Sequence, residues 1–552
     1  MTRPRVLKGL VVAALIIAET HEVAGTFRHY LSAGRADAVL FLAAIWLTGA
    51  AAACCAALSP RRGVRWTWAA VLSASGLVAH SYFAVCRTHL SWDGLQLLWD
   101  QKTFAWGVVD AYGGAFWGPA VLAACLFVVM AAPPVEPRLK SRAWALAPVV
   151  PALLVFLVYR ATGGEGVGGL PASYRCLGLL PGFVLSRSHQ ARVVSIAEPR
   201  PNAPQARNIL LIVDESVRAD YIDLNVERGA TPYLKTLSSK VFNFGLAASA
   251  ANCSSYSNAI LRLGANPTLM EGGRDIRANP SIWRYARAAG YRTVFVNAQT
   301  EHGELQNFMD EDEAGLIERA VVSQGLYERR DVEGVAEVAA LLREPGRHFV
   351  YWNKNGAHFP YEADYPAAEA RFAPHMTLAE EMRDKERVSN SYKNAVRWNV
   401  DVFFQRLLGS VDLRETLVVY TSDHGQNLLD DGLPITHCRA KNPISEEAMV
   451  PLLVFSASPK LAGGLRAAVK LNANRASAFQ IFPTVLSVMG YDSAAVRARY
   501  YPTLFERPGE PARFLSGGIF GAFGRKLTWN EFRLGTQQRD QASVLSVSNP
   551  QH

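Results

Sequence analysis

At 552 residues the chain is too long for one ordinary domain, so we expect two. Hydrophobic residues make up 50% of it and the mean hydropathy is slightly positive, which indicates a membrane part joined to a soluble part. The net charge is +9, but the basic residues form neither a long run nor a known nucleic-acid-binding motif, which argues against a nucleic-acid partner.

Five apolar segments in the N-terminal part are predicted to cross a lipid bilayer. Each is close to the ~20 residues that a membrane-spanning helix needs. The predicted spans are Leu7–Gly25, Ala38–Leu58, Trp66–Cys86, Ala115–Ala132 and Trp144–Tyr159. The first span is not interpreted as a signal peptide, because it contains Glu19 and His21, lacks a small-residue cleavage site and precedes further spans.

Basic residues accumulate before the first span and in every second loop after it. They are Arg3, Arg5 and Lys8, then Arg61, Arg62 and Arg65, then Arg138, Lys140 and Arg142. Because such segments face the cytoplasm, five spans would place everything after Tyr159 on the outer side of the membrane.

The outer loop from Arg87 to Gly114 carries many aromatic and leucine side chains, among them Trp92, Trp99 and Trp106. This pattern is typical of a helix that lies at the membrane interface. Two interpretations remain open: a surface that guides a lipid towards a catalytic domain, or a simple tryptophan belt.

The predicted domains are a membrane domain over residues 1–160, a linker over residues 161–206 that is rich in Gly, Pro, Arg and Ser, and a soluble domain over residues 207–552. Strand candidates in the soluble part alternate with helical stretches. The predicted strands are Asn208–Val213, Arg292–Asn297, His348–Asn353, Thr416–Thr421 and Pro451–Ser456. This alternation predicts an α/β domain whose mostly parallel sheet is covered on both faces.

Polar groups with metal-binding chemistry follow two of these strands. The strand Asn208–Val213 runs into Asp214 and Glu215, and another strand ends close to Asp423 and His424. Ligands in open α/β sheets sit at the carboxyl ends of strands, and these residue types suit a zinc site. For Asp214, the alternative is a helix N-cap.

A third stretch, Ala251–Ser257, contains three serine hydroxyl groups: those of Ser254, Ser255 and Ser257. A hydroxyl near a metal ion can be deprotonated and attack phosphorus. A serine-rich turn with a helix cap is the structural alternative.

Three motifs together resemble the membrane phosphoethanolamine transferases of the alkaline phosphatase/sulfatase superfamily. They are Glu-Ser-x-Arg-Ala-Asp at Glu215–Asp220, Cys-x-Ser at Cys253–Ser255, and Ser-Asp-His-Gly at Ser422–Gly425. The resemblance implies an α-helical membrane domain of five transmembrane helices, followed by an α/β alkaline-phosphatase/sulfatase-like domain. It also implies a multi-pass protein of the cell inner membrane with its catalytic domain in the periplasm.

The resemblance implies the site residues as well. Glu215, Asp423 and His424 would bind Zn²⁺, with Mn²⁺ as the alternative ion, and Asp214 would be the rival of Glu215. Alignment with the family's Cys-Gly-Thr pattern makes Ser255 both the fourth ligand and the nucleophile, with Ser254 as the alternative.

Two more histidines, His358 and His437, match family positions that bind phosphate oxygens, hold a second metal or protonate the leaving alkoxide.

The sequence also differs from the family pattern in two respects. The stretch after Cys253 lacks the Pro and Arg that accompany formylglycine formation in sulfatases. Cys176, Cys253 and Cys438 allow at most one disulfide outside the membrane segments, whereas the lipid A branch of the family usually has several.

The expected activity is metal-dependent transfer of phosphoethanolamine from phosphatidylethanolamine in the lipid bilayer to an envelope glycan or glycolipid, through a covalent phospho-serine. Three alternatives remain at this stage. They are a phosphoglycerol transferase that uses phosphatidylglycerol, a membrane-anchored phosphodiesterase, and a non-catalytic envelope scaffold.

Overall fold

The computed structural model describes most of the chain in two compact units. The described residues are 3–19, 24–32, 34–86, 89–100, 105–134, 142–164, 168–187, 204–300, 306–323, 325–378, 380, 382–520 and 527–534. The first unit comprises Met1–Gln190 with Gly521–Lys526, and the second comprises Ala191–Phe520 with Leu527–His552.

The first unit is entirely α-helical apart from short turns in its described residues. Its helices are α1 (Arg3–Ala18), α2 (Ala24–Ser32), α3 (Ala36–Ala57), α4 (Arg62–Cys86), α5 (Trp92–Asp100), α6 (Ala105–Ala131), α7 (Val149–Ala161) and α8 (Ala172–Arg187). Four stretches are long and apolar enough to span a membrane: Ala36–Ala57, Arg62–Val85, Gly113–Ala131 and Trp144–Ala161. They correspond to the second to fifth predicted spans.

The first predicted span, Leu7–Gly25, corresponds to the shorter helix α1, which ends at Ala18. At 1.5 Å per residue its 16 residues extend about 24 Å, less than the hydrocarbon thickness of a bilayer. Glu19 follows directly; it is buried and accepts a hydrogen bond of 3.1 Å from the backbone N–H of Ser173.

Small residues and one basic side chain hold the helices of this unit together. Buried alanines of α3 let its neighbours approach closely, and the Tyr174 hydroxyl donates to the Gly49 carbonyl at 2.9 Å. The Lys8 ammonium donates to the carbonyls of Ala57 and Ala132, both at 2.6 Å. Lys8 therefore joins the carboxyl ends of α3 and α6, where helix dipoles favour positive charge.

The predicted interfacial loop and the predicted linker each contain a helix. The predicted interfacial loop contains α5, in which Trp92 is buried and Trp99 is exposed. The predicted linker 161–206 contains α8, whose Tyr174 and Leu179 belong to the core of the helical unit. Residues 135–141, with the basic Arg138 and Lys140, and Trp106 as a side chain lie outside the described residues.

The second unit contains a seven-stranded sheet. Its strands are β1 (Asn208–Asp214), β2 (Phe242–Ala248), β3 (Arg292–Asn297), β4 (Arg319–Val322), β5 (His348–Asn353), β6 (Thr416–Ser422) and β7 (Met449–Phe455), in the order β2-β7-β6-β1-β5-β3-β4. Strand β7 runs antiparallel to both of its neighbours, and the other pairs are parallel. Strands β8 (Arg513–Ser516) and β9 (Thr528–Glu531) form a separate pair.

Helices cover both faces of this sheet. They are α9 (Pro232–Thr236), α10 (Ser254–Leu263), α11 (Pro267–Glu271), α12 (Ile282–Ala288), α13 (Glu311–Ala314), α14 (Arg330–Arg343), α15 (Lys385–Val396), α16 (Phe403–Ser410), α17 (Pro459–Asn472), α18 (Ile481–Val488) and α19 (Ser493–Arg499). A π-helical turn, Arg397–Val402, joins α15 to α16.

Period-two alternation in the strands explains this arrangement. On one face, Leu210 and Ile212 of β1 share a core with residues of α14, α15 and α16. On the other, Phe349 and Tyr351 of β5 pack around Trp283 of α12. Because both faces are apolar, the strand sequences are nearly continuous hydrophobic runs, as expected for a parallel sheet.

The mostly parallel α/β fold is therefore confirmed. All five predicted strands are present; β2 and β4 of the seven-stranded sheet are additional, as are β8 and β9 of the separate pair. Strand β2 reads Phe-Asn-Phe-Gly-Leu-Ala-Ala and β4 has only four residues, so neither carries a strong strand pattern.

Truncation of a central core side chain tests this packing. Leu210→Ala removes a fully buried side chain from β1, and we expect the second unit to lose about 2–5 kcal/mol of unfolding free energy. Thermal unfolding of the full-length protein in detergent measures the loss. Leu326→Ala, at a position with 62% exposure, is the control and should leave the melting temperature nearly unchanged. Equal effects of both changes would contradict the assigned core.

Candidate active site

The candidate site lies at the carboxyl edge of the sheet, between its two central strands. Strands β1 and β6 are parallel neighbours, and Asp214 is paired with Ser422. The residues that follow this pair, Glu215 on one side and Asp423 and His424 on the other, therefore emerge next to each other. The register of two strands brings together groups that are far apart in sequence.

Glu215, Asp423 and His424 form a compact, buried group. One potential ligand atom from each lies within 4.8 Å of the others. The Nε2 atom of His424 is 3.2 Å from Oε1 of Glu215 and 3.8 Å from Oδ1 of Asp423. The structure thus brings together the three residues that the sequence predicts as metal ligands.

Hydrogen bonds fix the orientation of these side chains. The His424 Nδ1 atom is 2.6 Å from the Gly425 carbonyl, which makes Nδ1 the donor and leaves Nε2 as the ligand atom. The Asp423 carboxylate accepts from the backbone N–H of Ser216 at 3.0 Å. The Gln299 amide donates to Oε2 of Glu215 at 3.1 Å.

The electrostatics of the group favour a bound cation. Burial, reinforced by Glu215, raises the pKa of Asp423 well above its usual range. Burial alone would lower the pKa of His424, but Asp423 and Glu215 outweigh it and raise that pKa to about 9. The pKa of Glu215 is low despite burial, because His424 stabilises its charge. The raised pKa of His424 shows that positive charge is favoured beside the two carboxylates, and a divalent cation could supply it.

The hydroxyl group in this cluster belongs to Ser254. Its Oγ lies 3.0 Å from both Oε1 of Glu215 and Nε2 of His424. Helix α10 begins at Ser254, and Cys253 precedes it in an extended conformation. The hydroxyl is therefore presented at the first residue of a helix.

Ser255, the serine that the family alignment favours, is fully buried one position further along α10. Successive helical residues project about 100° apart, so two adjacent serines cannot both face the group. The geometry favours Ser254, the alternative, over Ser255. Ser257 lies apart as well, because its hydroxyl donates to the Ala251 carbonyl at 2.8 Å.

Both predicted accessory histidines form a row with His424. The His437 ring stacks on that of His424 with centroids 4.3 Å apart, and the His358 ring is 5.7 Å from that of His437. Burial, together with His424 and His358, lowers the pKa of His437 well below its usual value. His437 is therefore neutral near pH 7 and able to accept a proton.

Asp214, the predicted rival of Glu215, is bound elsewhere. Its Oδ2 atom accepts from the Lys354 ammonium at 2.7 Å and from the Tyr420 hydroxyl at 2.9 Å. Lys354 is completely buried. The structure thus separates the two adjacent carboxylates: one faces the candidate metal site and the other pairs with an internal cation.

Three supporting residues are not apparent from the sequence motifs. Gln299 binds Glu215, Asn258 approaches Asp423 at 3.5 Å, and Oε1 of Gln426 lies 3.1 Å from Nδ1 of His437. For Gln299 a signal exists, because it follows the predicted strand Arg292–Asn297 at the same edge of the sheet. Asn258 has no such signal, because only the path of α10 brings it here.

The fold and site define an α/β domain with a buried group of candidate metal ligands and a hydroxyl at the carboxyl edge of its sheet. The sequence pattern of the Sulfatase family matches residues 207–491, which is more than half of the chain. The chain belongs to the sulfatase family. A search of curated protein sequences found no match.

One solved structure shows the same two-part architecture, and two others are similar over the second unit only, at a lower TM-score. Lipooligosaccharide phosphoethanolamine transferase A (EptA) from Neisseria meningitidis is similar over 89% of this chain and 99% of its own, with 17% identity and a TM-score of 0.64. The C-terminal periplasmic domain of EptC from Escherichia coli is similar over 62% of this chain and 97% of its own, with 16% identity and a TM-score of 0.49. Its complex with Zn has 15% identity and the same coverage and TM-score. The predicted fold of a helical membrane part followed by a sulfatase-like domain is thereby confirmed.

A glycine behind the site provides a test of the metal-binding geometry. A Cβ atom at Gly356 would lie 2.2 Å from the carbonyl oxygen and 2.6 Å from the nitrogen of Glu215. We expect Gly356→Ala to displace Glu215 and to weaken zinc binding by about tenfold or more, equivalent to ~1.4 kcal/mol. Competition with a chromogenic chelator measures the affinity.

Gly346→Ala is the matched control. Both glycines have a positive φ, +65° at Gly356 and +103° at Gly346, but a Cβ atom added at Gly346 would have no neighbour within 4 Å. The control should bind zinc as the wild type does. Unchanged affinity in Gly356→Ala would contradict the assignment of Glu215 as a ligand.

Proposed function

We propose that this protein transfers phosphoethanolamine from phosphatidylethanolamine to an envelope glycan or glycolipid, through a phospho-serine at Ser254. The observation that carries the proposal is the position of the Ser254 hydroxyl, 3.0 Å from both a carboxylate and an imidazole of a buried metal-type site. The family membership and the likeness of the whole architecture to EptA support it.

Zn²⁺ is the proposed ion, held by Glu215, Asp423, His424 and Ser254, with Mn²⁺ as the alternative. Two carboxylates, one imidazole and one hydroxyl match the donor types and number of a tetrahedral zinc site. Bound zinc would lower the pKa of a ligated hydroxyl and neutralise charge on a phosphate.

The reaction follows as two displacements at phosphorus. In the first, Ser254 Oγ forms a bond to phosphorus, the bond to the glyceride oxygen breaks, and diacylglycerol leaves. The serine loses one proton and the glyceride oxygen gains one. In the second, an acceptor hydroxyl attacks phosphorus and loses its proton, while the bond to Ser254 breaks and the serine oxygen gains one proton. Two inversions would give net retention of configuration at phosphorus.

His358 and His437 are assigned to the phosphate and its protons. Their rings extend the row that begins at His424, whose Nε2 atom contacts the Ser254 hydroxyl. Burial and the two neighbouring histidines lower the pKa of His437, so its ring is neutral near pH 7. A protonated histidine beside the leaving oxygen would complete the transfer.

The membrane segments suit a lipid donor. Four stretches of the first unit are long and apolar enough to span a bilayer. Phosphatidylethanolamine is itself a bilayer lipid, so a membrane anchor would keep the enzyme beside its donor. We assign the protein to the cell inner membrane, with the second unit in the periplasm and an acceptor in the envelope.

The decisive experiment is intact-mass measurement after incubation with donor lipid. We expect purified zinc-loaded protein to gain a phosphoethanolamine group from phosphatidylethanolamine, and Ser254→Ala to gain none. Ser255→Ala is the matched control, because it removes the adjacent hydroxyl, which is not part of the proposed site, and it should still form the adduct.

Other results would redirect the proposal. A glycerophosphate adduct formed only from phosphatidylglycerol would identify a phosphoglycerol transferase. Release of headgroup to water, without an acceptor, would identify a phosphodiesterase. Unchanged lipids of both kinds would favour the scaffold. If Ser254→Ala forms the adduct and Ser255→Ala does not, the nucleophile is Ser255.

The ligand assignment is tested by metal content. We expect Glu215→Gln and Asp423→Asn to lower zinc, measured by elemental analysis after dialysis, from about one ion per chain to well below half occupancy, since each removes one charged ligand. Glu227→Gln changes a carboxylate whose side chain is 68% exposed, and it should retain zinc. Full zinc content in both site variants would refute the assignment.

A further inference from the structure

A disulfide joins two segments that border the candidate active site. It links Cys253 to Cys438, which are 185 residues apart in sequence. The sequence allowed at most one disulfide outside the membrane segments, but it did not indicate which cysteines would pair.

Each cysteine is the immediate neighbour of a site residue. Cys253 precedes Ser254, the first residue of α10. Cys438 follows His437, whose ring stacks on that of His424. One covalent bond thus connects the backbone that presents the candidate nucleophile to the backbone that presents an accessory histidine.

Polar contacts reinforce this connection. The backbone N–H of Cys438 donates to the Asn252 carbonyl at 2.8 Å. The Asn252 side chain donates to the Arg439 carbonyl at 2.9 Å and to the buried Glu447 carboxylate at 2.8 Å. Asn252 therefore holds the two segments together directly beside the disulfide.

The segment that carries His437 has no regular secondary structure. Residues 423–444, all of them described, form neither helix nor strand. Cys438 has a φ of +60°, a left-handed conformation that a non-glycine residue keeps only when its surroundings hold it. His437 is therefore kept near Ser254 by the disulfide and by hydrogen bonds of the segment, such as those from the Asn427 amide to the carbonyls of Leu433 and Ile435.

We propose that the Cys253–Cys438 disulfide is a positioning clamp, which holds Ser254 and His437 in the relative arrangement needed for phosphoryl transfer. The inference rests on the proposed roles of these two residues. It goes beyond them because it makes the oxidised state of a specific cysteine pair a condition for activity. The cysteines do not touch substrate; they act through their neighbours.

The test compares full-length wild type with the double variant Cys253→Ser/Cys438→Ser in detergent. Cys125→Ser, which alters an exposed free cysteine of the first unit, is the control. The rate of phosphoethanolamine adduct formation and the zinc affinity are measured below the melting temperature of every variant. We expect the double variant to form the adduct at least tenfold more slowly and to bind zinc severalfold more weakly, with the control unchanged.

A purely stabilising disulfide would give a different result. It would lower the melting temperature but leave the adduct rate and zinc affinity of the folded double variant within twofold of wild type, and this outcome overturns the proposal. Reductant should slow the wild type and have no effect on the double variant, which lacks the bond.

If the double variant does not fold, graded reduction of the wild type provides the test instead. The wild type is treated with graded reductant, and the reduced fraction is counted by thiol alkylation and mass. Loss of adduct rate in proportion to that fraction, at constant circular dichroism, supports the clamp; parallel loss of circular dichroism overturns it. If oxidised wild type binds zinc but forms no adduct, the proposed function is refuted. The clamp would then be tested by zinc affinity alone, compared between the wild type and the double variant.

Discussion

Two buried carboxylates and one imidazole at the end of a parallel strand pair are the constraint on which the rest of the site depends. Glu215 and Asp423 are both removed from water, and burial together with Glu215 raises the pKa of Asp423 well above its usual range. The same two carboxylates raise the pKa of His424, so the group favours positive charge. Two carboxylates and an imidazole are also donor types that suit a divalent cation.

The surrounding residues keep this charged group in place without competing for it. Lys354 neutralises the neighbouring Asp214 in a separate buried ion pair, so only one of the two adjacent carboxylates faces the site. Gly356 allows a loop to lie directly against the backbone of Glu215. Gln299 and the backbone of Gly425 orient the remaining ligand atoms. Pre-organisation of this kind reduces the rearrangement needed when a phosphate ester binds.

The architecture suits a chemistry that acts on a lipid. A bundle of apolar helices with small-residue packing provides membrane-length segments, and a sulfatase-family domain provides a hydroxyl beside a metal-type site. A transferase with a bilayer lipid as donor needs both parts. The disulfide adds a third element, since it ties the hydroxyl segment to an irregular segment that carries a histidine.

Much of this could be predicted from the sequence, because it depends on local patterns. Continuous apolar runs predicted five membrane spans, of which four are of membrane length in the described residues, and five strands, all of which are present. Motifs directly after two strands indicated Glu215, Asp423 and His424. Other features depend on contacts between distant segments. The start of α10 places the Ser254 hydroxyl beside Glu215 and His424. The ion pair with Lys354 separates Asp214 from Glu215, and chain proximity pairs Cys253 with Cys438. Local residue order sets which groups end each strand, whereas only the packing of strands and helices decides which of those groups meet.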